Sequence, residues 1–168
     1  MSITQTRADR DLLLTFFLTF ARFEYALKAS GLFKRDNRQR NPLRPREAEP
    51  DWDAFAVSLR DVFQIQKSEP LRNACEFILT CPPWKQVVIN NAINWETPVR
   101  PQEESNIEFI LRMIRCIRNN LFHGGKHNFD VHEDTPRTEK LLISSLIILH
   151  ECLDLAPAVK REFDEATI

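Results

Sequence analysis

The residues best suited to chemistry are an arginine and a histidine in the stretch MIRCIRNNLFHGGKH, residues 113–127. Arg118 stands five residues before His123, and Gly124 and Gly125 follow the histidine in a chain that has only three glycines. An imidazole titrates near neutral pH and can move a proton, while a permanently charged guanidinium can hold a phosphoryl oxygen. The pair therefore predicts phosphate-ester chemistry.

The geometry of this pair depends on where its helix ends. On a continuous α-helix a spacing of five places His123 about 140° around the axis from Arg118 and about 7.5 Å along it. Gly124 can adopt the left-handed conformation that ends a helix, which lets the histidine turn toward the arginine. A simpler interpretation stays open, in which the histidine complements the helix dipole, the glycine is an ordinary cap, and Arg118 is a solvated base like Arg112 and Arg115.

The composition is that of an ordinary globular chain. Its 168 residues suffice for one domain, residues 1–168, with a hydrophobic core, and 43% of them are hydrophobic. Twenty-three basic and 24 acidic side chains give a formal charge of -1, so a nucleic-acid site has to be a local patch. The four cysteines show no paired spacing, which favours reduced thiols over a disulfide or zinc framework.

The apolar run LLLTFFLTFA, residues 12–21, has features of a targeting signal. However, Asp9 and Asp11 stand in its flank, and it is well short of the roughly 20 apolar residues that a membrane span needs. We therefore predict a cytoplasmic protein with no membrane segment and a core helix from Arg7 to Ser30, ended by Gly31 in a left-handed conformation. Because the first half of this helix is apolar nearly all round, we expect a second subunit to cover part of it.

The rest of the chain shows apolar spacings of three and four with few strand signals, which predicts an all-α bundle of four to five helices. Asp51 and Ser68 stand where N-cap residues are expected, and Pro136 where a helix opens. The predicted elements after the first helix are a helix over residues 51–66, a shorter one over 68–78, a short one over 84–95, a long one over 100–125 with Glu103 and Glu104 in its first turn, and one from Pro136 to Pro157 with a charged tail after it.

A basic segment interrupts this pattern. Between Lys34 and Arg46 there are six basic residues and one acid, Asp36, so the segment carries +5 and the rest of the chain -6. We predict a basic loop over residues 34–50. It is an ordinary solvated loop unless it lies over Arg118, where phosphate contacts would make RNA binding depend steeply on salt.

Three segments resemble the HEPN superfamily. The stretch RNNLFHGG, residues 118–125, resembles its R-x4-6-H signature, in the form where a polar residue follows the arginine. The stretch FARFEYALKASGLF, residues 20–33, resembles the opening helix of several bacterial and plasmid-borne HEPN families. TEKLLISSLIILHECLDL, residues 138–155, resembles the helix after the motif, whereas residues 34–100 show no such resemblance.

The resemblance implies a helical bundle that forms a homodimer and places two R-x4-6-H motifs across a shared cleft. It implies a metal-independent endoribonuclease without a cofactor, of the kind found in toxin–antitoxin, defence and RNA-processing systems, with RNA and an antitoxin or other protein as partners. His123 would take the proton from a ribose 2′-OH or deliver it to the leaving 5′-oxygen. Arg118 would hold the scissile phosphate and Asn119 would orient the pair. A HEPN-like bundle without catalysis, serving as a protein- or RNA-binding module, is the alternative.

One departure from the family pattern concerns regulation. Some HEPN toxins carry a tyrosine two residues after the histidine, which a partner nucleotidyltransferase modifies. Here that position is Gly125, and the only tyrosine in the chain is Tyr25. The sequence does not favour regulation by that route.

The remaining candidates are weaker. Asn120, Lys126 and His127 are expected to contact RNA, although a polar surface explains them as well. Glu24 is expected to pair with Lys28 at i, i+4 or, alternatively, to reach the cleft and orient Arg118. The histidines at 123, 127 and 132 lack an acidic or cysteine ligand at helical spacing, so no metal site is predicted.

Overall fold

The computed structural model describes residues 9–35, 47–122 and 135–166. Most of these residues are helical, which confirms the predicted helical character, but a β-hairpin is also present. The elements in chain order are α1 (Arg10–Ala29), α2 (Trp52–Ser58), a 3-10 turn (Ile65–Lys67), α3 (Glu69–Thr80), β1 (Lys85–Ile89), β2 (Ala92–Glu96), α4 (Asn106–Phe122), α5 (Thr135–Leu155) and α6 (Pro157–Glu165).

The core is built around aromatic side chains of α1 and α2. Phe23 and Trp52 stack with ring centroids 5.2 Å apart and planes 14° apart, and Phe55 meets Phe23 edge-on at 5.4 Å. Helix α1 packs against α5 and α6, α3 against α5, and α2 against α4. Each helix buries one stripe, as the apolar spacings predicted. The fully buried side chains include Phe16, Phe23, Phe55, Leu71, Ile78, Ile110, Ile114 and Leu142.

The helix ends follow the predicted caps, with shorter helices than expected. The side chain of Asp51 accepts a hydrogen bond from the Ala54 amide at 2.9 Å, and Ser68 accepts one from Leu71 at 3.3 Å. Asp9 caps α1, so this helix begins at Arg10, and Gly31 has the predicted positive φ of 90°. The helix predicted to run to residue 66 already ends at Ser58.

The start of the long helix differs from the prediction. Glu103 and Glu104 precede α4, which begins at Asn106. The carboxylate of Glu108 accepts a hydrogen bond from the Ser105 amide at 2.9 Å, and the Ser105 hydroxyl accepts one from the Glu108 amide at 3.4 Å. This reciprocal capping box satisfies two amides at the helix end, and it sets the start of the helix there.

The helix predicted over residues 84–95 is wrong, because this segment is a two-stranded antiparallel hairpin. Asn90 and Asn91 have φ values of 51° and 61°, so a two-residue turn with left-handed conformations joins the strands. Asparagine tolerates this conformation better than most residues do. The β-branched Val87, Val88 and Ile89 also favour the extended backbone of β1 over a helix.

The charged tail predicted after Pro157 is a helix, α6. Its Val159 and Phe163 are buried, and the Arg22 guanidinium of α1 donates a 2.7 Å hydrogen bond to the Phe163 carbonyl. Pro157 both prevents α5 from continuing and opens α6. Within the described ranges, no single helix is long and apolar enough to cross a membrane, and only α5 and α6 together, bent by 114°, reach such a length and composition.

Candidate functional site

Helix α4 carries Arg118 in its last described turn. The neighbouring stripe of the helix, which includes Ile110, Ile114 and Ile117, is buried in the core and fixes the position of the helix. The Arg118 guanidinium carbon lies 4.5 Å from the ring centroid of Phe122 and 5.7 Å from that of Phe20. The half-buried arginine is thus placed by α1 and by its own helix, with aromatic faces that favour a cation.

The charge of Arg118 has no acidic partner among the described residues. Arg112, two turns earlier, forms two 2.7 Å hydrogen bonds with Glu104, and Arg115 lies 3.0 Å from Asp53. By contrast, Arg118 donates only to the neutral amide oxygen of Asn119, at 3.0 Å, and its buried Nε has no partner in the described part of the chain. Arg118 therefore retains charge and hydrogen-bonding capacity for an anion, which the other arginines of this helix have already used.

The asparagines that follow Arg118 have different surroundings. Asn119 is exposed, and its side-chain oxygen accepts the hydrogen bond from the Arg118 guanidinium, while the orienting role expected for it stays a prediction. Asn120 is half-buried, and its side-chain amide donates a 2.7 Å hydrogen bond to the Trp84 carbonyl. The thiol of Cys116, one turn earlier, donates to the same carbonyl at 3.5 Å. Asn120 therefore anchors the base of the hairpin.

The other partner of the predicted pair lies outside the described residues. His123 follows directly after Phe122, the last described residue of α4, and Lys126 and His127 fall in the same undescribed range. Most of the basic segment, from residue 36 to residue 46, is likewise outside. Of the R-x4-6-H motif, the structure therefore describes Arg118 to Phe122.

Glu24 occupies neither of the two expected positions. Its carboxylate accepts a hydrogen bond from the Trp52 indole nitrogen at 3.2 Å, and it forms no ion pair or hydrogen bond with Lys28 or Arg118, all of which are described. The bond satisfies the only polar atom of a buried tryptophan, and it links α1 to α2. The expected pairing with Lys28 was wrong because tertiary packing supplied a better partner.

An exposed apolar stripe runs along α1 beside this site. Leu14, Leu18 and Tyr25 are 56%, 41% and 52% exposed, and their spacings of four and seven place them on one face of the helix. Phe122, 58% exposed, touches α1 through Phe17 at a ring distance of 4.5 Å. The stripe therefore continues to the end of α4 that carries Arg118.

A separate pocket of about 170 Å³ lies between α2 and the first half of α4. Its charges are internally balanced, because Arg112 and Arg115 pair with Glu104 and Asp53. The Arg60 guanidinium also lowers the pKa of Glu108 in this pocket to about 2. A pocket with paired charges of both signs does not favour the binding of an anion such as phosphate. The lining residues are Trp52, Asp53, Ala56, Glu104, Glu108, Leu111, Arg112 and Arg115.

Sequence reasoning missed the aromatic surroundings of the site. Phe122 stands four residues after Arg118, a spacing that brings two helical side chains together and so carried a usable signal. The contribution of Phe20 depends on a contact between α1 and α4, which are remote in sequence, and has no local signal. Trp84 was assigned to a helix, so its place beside Asn120 was also missed.

Family models, curated proteins and solved structures give no match to this chain. Among the described residues, no group of three or more histidine, cysteine, aspartate or glutamate side chains is arranged to hold a metal ion. The case for a function therefore rests on the residues and their geometry.

Proposed function

We propose that this protein is a metal-independent endoribonuclease of the HEPN type, acting in the cytoplasm as a homodimer, in a toxin–antitoxin or defence role. The observation that carries the proposal is Arg118, a half-buried guanidinium in the last turn of α4 that has no acidic partner among the described residues. It lies five residues before His123, the histidine nearest to it in the sequence. This is the combination needed to hold a phosphate and transfer a proton beside it.

The proposed reaction uses the ribose 2′-hydroxyl as the nucleophile. Its oxygen attacks the adjacent phosphorus, the bond from phosphorus to the 5′-oxygen breaks, and the products carry a 2′,3′-cyclic phosphate and a 5′-hydroxyl. His123 takes the 2′-OH proton or delivers a proton to the leaving oxygen, as two copies of the motif across one cleft would allow. Arg118 stabilises the additional negative charge on the phosphate, and Asn119 holds the guanidinium in place.

The exposed stripe on α1 supports the homodimer. An uncovered run of Leu14, Leu18 and Tyr25 costs free energy in water, and a two-fold partner would bury the same stripe on both copies. Since Phe122 continues the stripe to the Arg118 end of α4, such an interface would bring two arginines toward a common cleft. Sedimentation velocity at micromolar concentration should show a dimer.

Glutamate at Leu14 and Leu18 should convert this dimer to a monomer and abolish cleavage in parallel. Glutamate at Val57, which is 50% exposed on α2, is the matched control and should change neither property. A wild-type monomer that still cleaves RNA would contradict the composite site.

The chemical proposal is tested by removing each member of the pair. Arg118→Ala and His123→Ala should each abolish RNA cleavage while the helical circular-dichroism signal is kept, and Arg115→Ala, on the same helix but paired with Asp53, should leave cleavage intact. Cleavage should survive EDTA, and DNA should not be cut because it lacks the 2′-hydroxyl. Activity that depends on added metal, or that is unaffected by His123→Ala, would refute the mechanism.

The stacking of Arg118 on Phe20 and Phe122 favours one alternative, a non-catalytic RNA- or protein-binding module in which the arginine is structural. Arg118→Lys separates the two readings. Lysine keeps the positive charge over the rings but cannot form a forked contact with a phosphate. A catalytic clamp predicts that the wild type cleaves RNA and that Arg118→Lys loses most of this activity with little change in thermal stability. A non-catalytic module with a structural arginine predicts no cleavage by the wild type and a lower thermal stability in Arg118→Ala, where the contacts with both rings are lost.

A further inference from the structure

The base of the β-hairpin is attached to the two helix ends between which residues 123–134 run. On one side, Asn120 and Cys116 of α4 both donate to the Trp84 carbonyl. On the other, Arg137 of α5 donates a 2.8 Å hydrogen bond to the Pro82 carbonyl, and its guanidinium lies 5.8 Å from the Trp84 ring. Trp84 is therefore held in place by backbone and ring contacts from both helices.

This hairpin presents an unusual amount of apolar surface to water. Trp84 is 41% exposed, and Val88 and Ile93, which face each other in the strand register, are 74% and 70% exposed. A two-stranded hairpin on its own gains little stability in water. The contacts at Trp84 hold the hairpin against α4 and α5, but the exposed indole and the Val88–Ile93 pair contribute little to the core.

Positive charge accompanies the exposed indole. Lys85 directly follows Trp84, is exposed, and forms no ion pair among the described residues, even though Glu96 lies opposite it in the register. The Arg137 guanidinium lies over the Trp84 ring, 5.8 Å from its centroid. An apolar surface for another protein would not require two cations beside the indole, whereas a single-stranded nucleic acid offers aromatic faces and negative charges together.

We propose that Trp84 is the stacking surface for an unpaired RNA base that flanks the scissile phosphate, with Lys85 and Arg137 against the neighbouring phosphates. This inference rests on the proposed ribonuclease function and adds to it a preference for single-stranded RNA. Asn120 lies two residues beyond Arg118, so the Trp84 side of α4 is about 160° around the axis from the arginine. With its side chains the helix is about 10–12 Å wide, so an RNA strand held at Arg118 has to extend by about this distance to reach Trp84.

Binding is measured with a single-stranded 2′-O-methyl RNA oligonucleotide, which cannot be cleaved, and with the same strand annealed to its complement. Trp84→Ala should weaken single-strand binding by roughly 5- to 150-fold, the range for loss of one base-stacking side chain. Duplex binding should be weaker in the wild type and little changed in the variant, because paired bases do not expose their faces.

Tryptophan fluorescence supplies a readout that does not depend on the stability of the hairpin. Oligonucleotide binding should quench the wild-type emission, and Trp84→Phe should lose most of the quenching while retaining much of the affinity, since phenylalanine still stacks. Trp95→Phe, a change in the opposite strand of the hairpin, is the matched control and should keep the quenching.

The outcomes separate this inference from the function on which it rests. Unchanged affinity in Trp84→Ala, or full quenching in Trp84→Phe, refutes the stacking role, and the function still stands if Arg118→Ala abolishes cleavage. A shift of Trp84→Ala from dimer to monomer in sedimentation would instead make this surface an interface between copies, which also refutes the inference. Absence of any RNA binding or cleavage by the wild type refutes both.

Discussion

Glu108, in the first turn of α4, is the residue whose charge state has the clearest consequence for stability. Its carboxylate accepts hydrogen bonds from Arg60 Nε at 3.1 Å and Arg60 NH2 at 2.6 Å, in addition to the Ser105 amide. The Arg60 bonds first, and the Ser105 contacts second, lower the pKa of Glu108 to about 2. We predict that Glu108→Gln removes the stabilisation that this charge provides and leaves the capping geometry in place.

The magnitude follows from the pKa difference between the folded and unfolded chains. An unfolded glutamate has a pKa of about 4.3, so the difference is roughly 2 units, and about 1.4 kcal/mol per unit sets an upper bound near 3 kcal/mol. The Arg60 side chain is 46% exposed, while that of Glu108 is 17% exposed, and water screens such a pair. The expected loss of unfolding free energy in Glu108→Gln at neutral pH is therefore about 1–1.5 kcal/mol.

The lowered pKa of Glu108 also determines the direction in which stability changes with pH. A depressed folded pKa means that the stabilisation is fully present above about pH 5 and is lost as the pH falls toward 2. The wild type should therefore lose stability over this range relative to Glu108→Gln, and the difference between them at about pH 2.5 should be less than half of that at pH 7.

Urea unfolding followed by circular dichroism at several pH values measures this difference. Glu76→Gln is the control, because Glu76 is exposed on α3 and forms no ion pair within the described residues. A wild-type to Glu108→Gln difference that is the same at pH 2.5 and pH 7 would refute the assignment of the stabilisation to the ionised carboxylate.

Three further predictions concern the core, a helix end and the basic segment. Phe23→Ala, at a side chain with no exposed surface that contacts Trp52 and Phe55, should lower the free energy of unfolding by about 3–5 kcal/mol in urea melts; a loss below about 1 kcal/mol would contradict the packing. Gly31→Ala should cost about 1–2 kcal/mol by the same measurement because φ is 90° there, although its Cβ would meet no atom within 4 Å. Glutamine should replace four arginines of the basic segment, namely Arg35, Arg38, Arg40 and Arg44. The slope of the logarithm of the RNA-binding constant against the logarithm of the salt concentration should then fall by about 0.7 for each lost phosphate contact, and an unchanged slope would mean that the segment is a solvated loop.

Local signals in the sequence determined most of the helices. The caps at Asp51 and Ser68 and the left-handed Gly31 were predicted at their observed positions, since each depends on the hydrogen bonds or backbone freedom of a few neighbouring residues. The hairpin was missed even though its Asn90–Asn91 turn is also local. A short run of β-branched residues fits both a strand and a buried helix, and the pattern was assigned to the more frequent element of this chain.

The sequence by itself also singled out Arg118 and Asn119, because an arginine, a polar residue and a histidine at this spacing form a recognisable pattern. The sequence did not determine which arginines of α4 have an acidic partner. Arg112, Arg115 and Arg118 look alike along α4, and only the tertiary structure brings Glu104 and Asp53 to the first two and the rings of Phe20 and Phe122 to the third. Electrostatic pairing depends on distances of a few ångströms between side chains remote in sequence, so the fold decides which arginine can bind an anion.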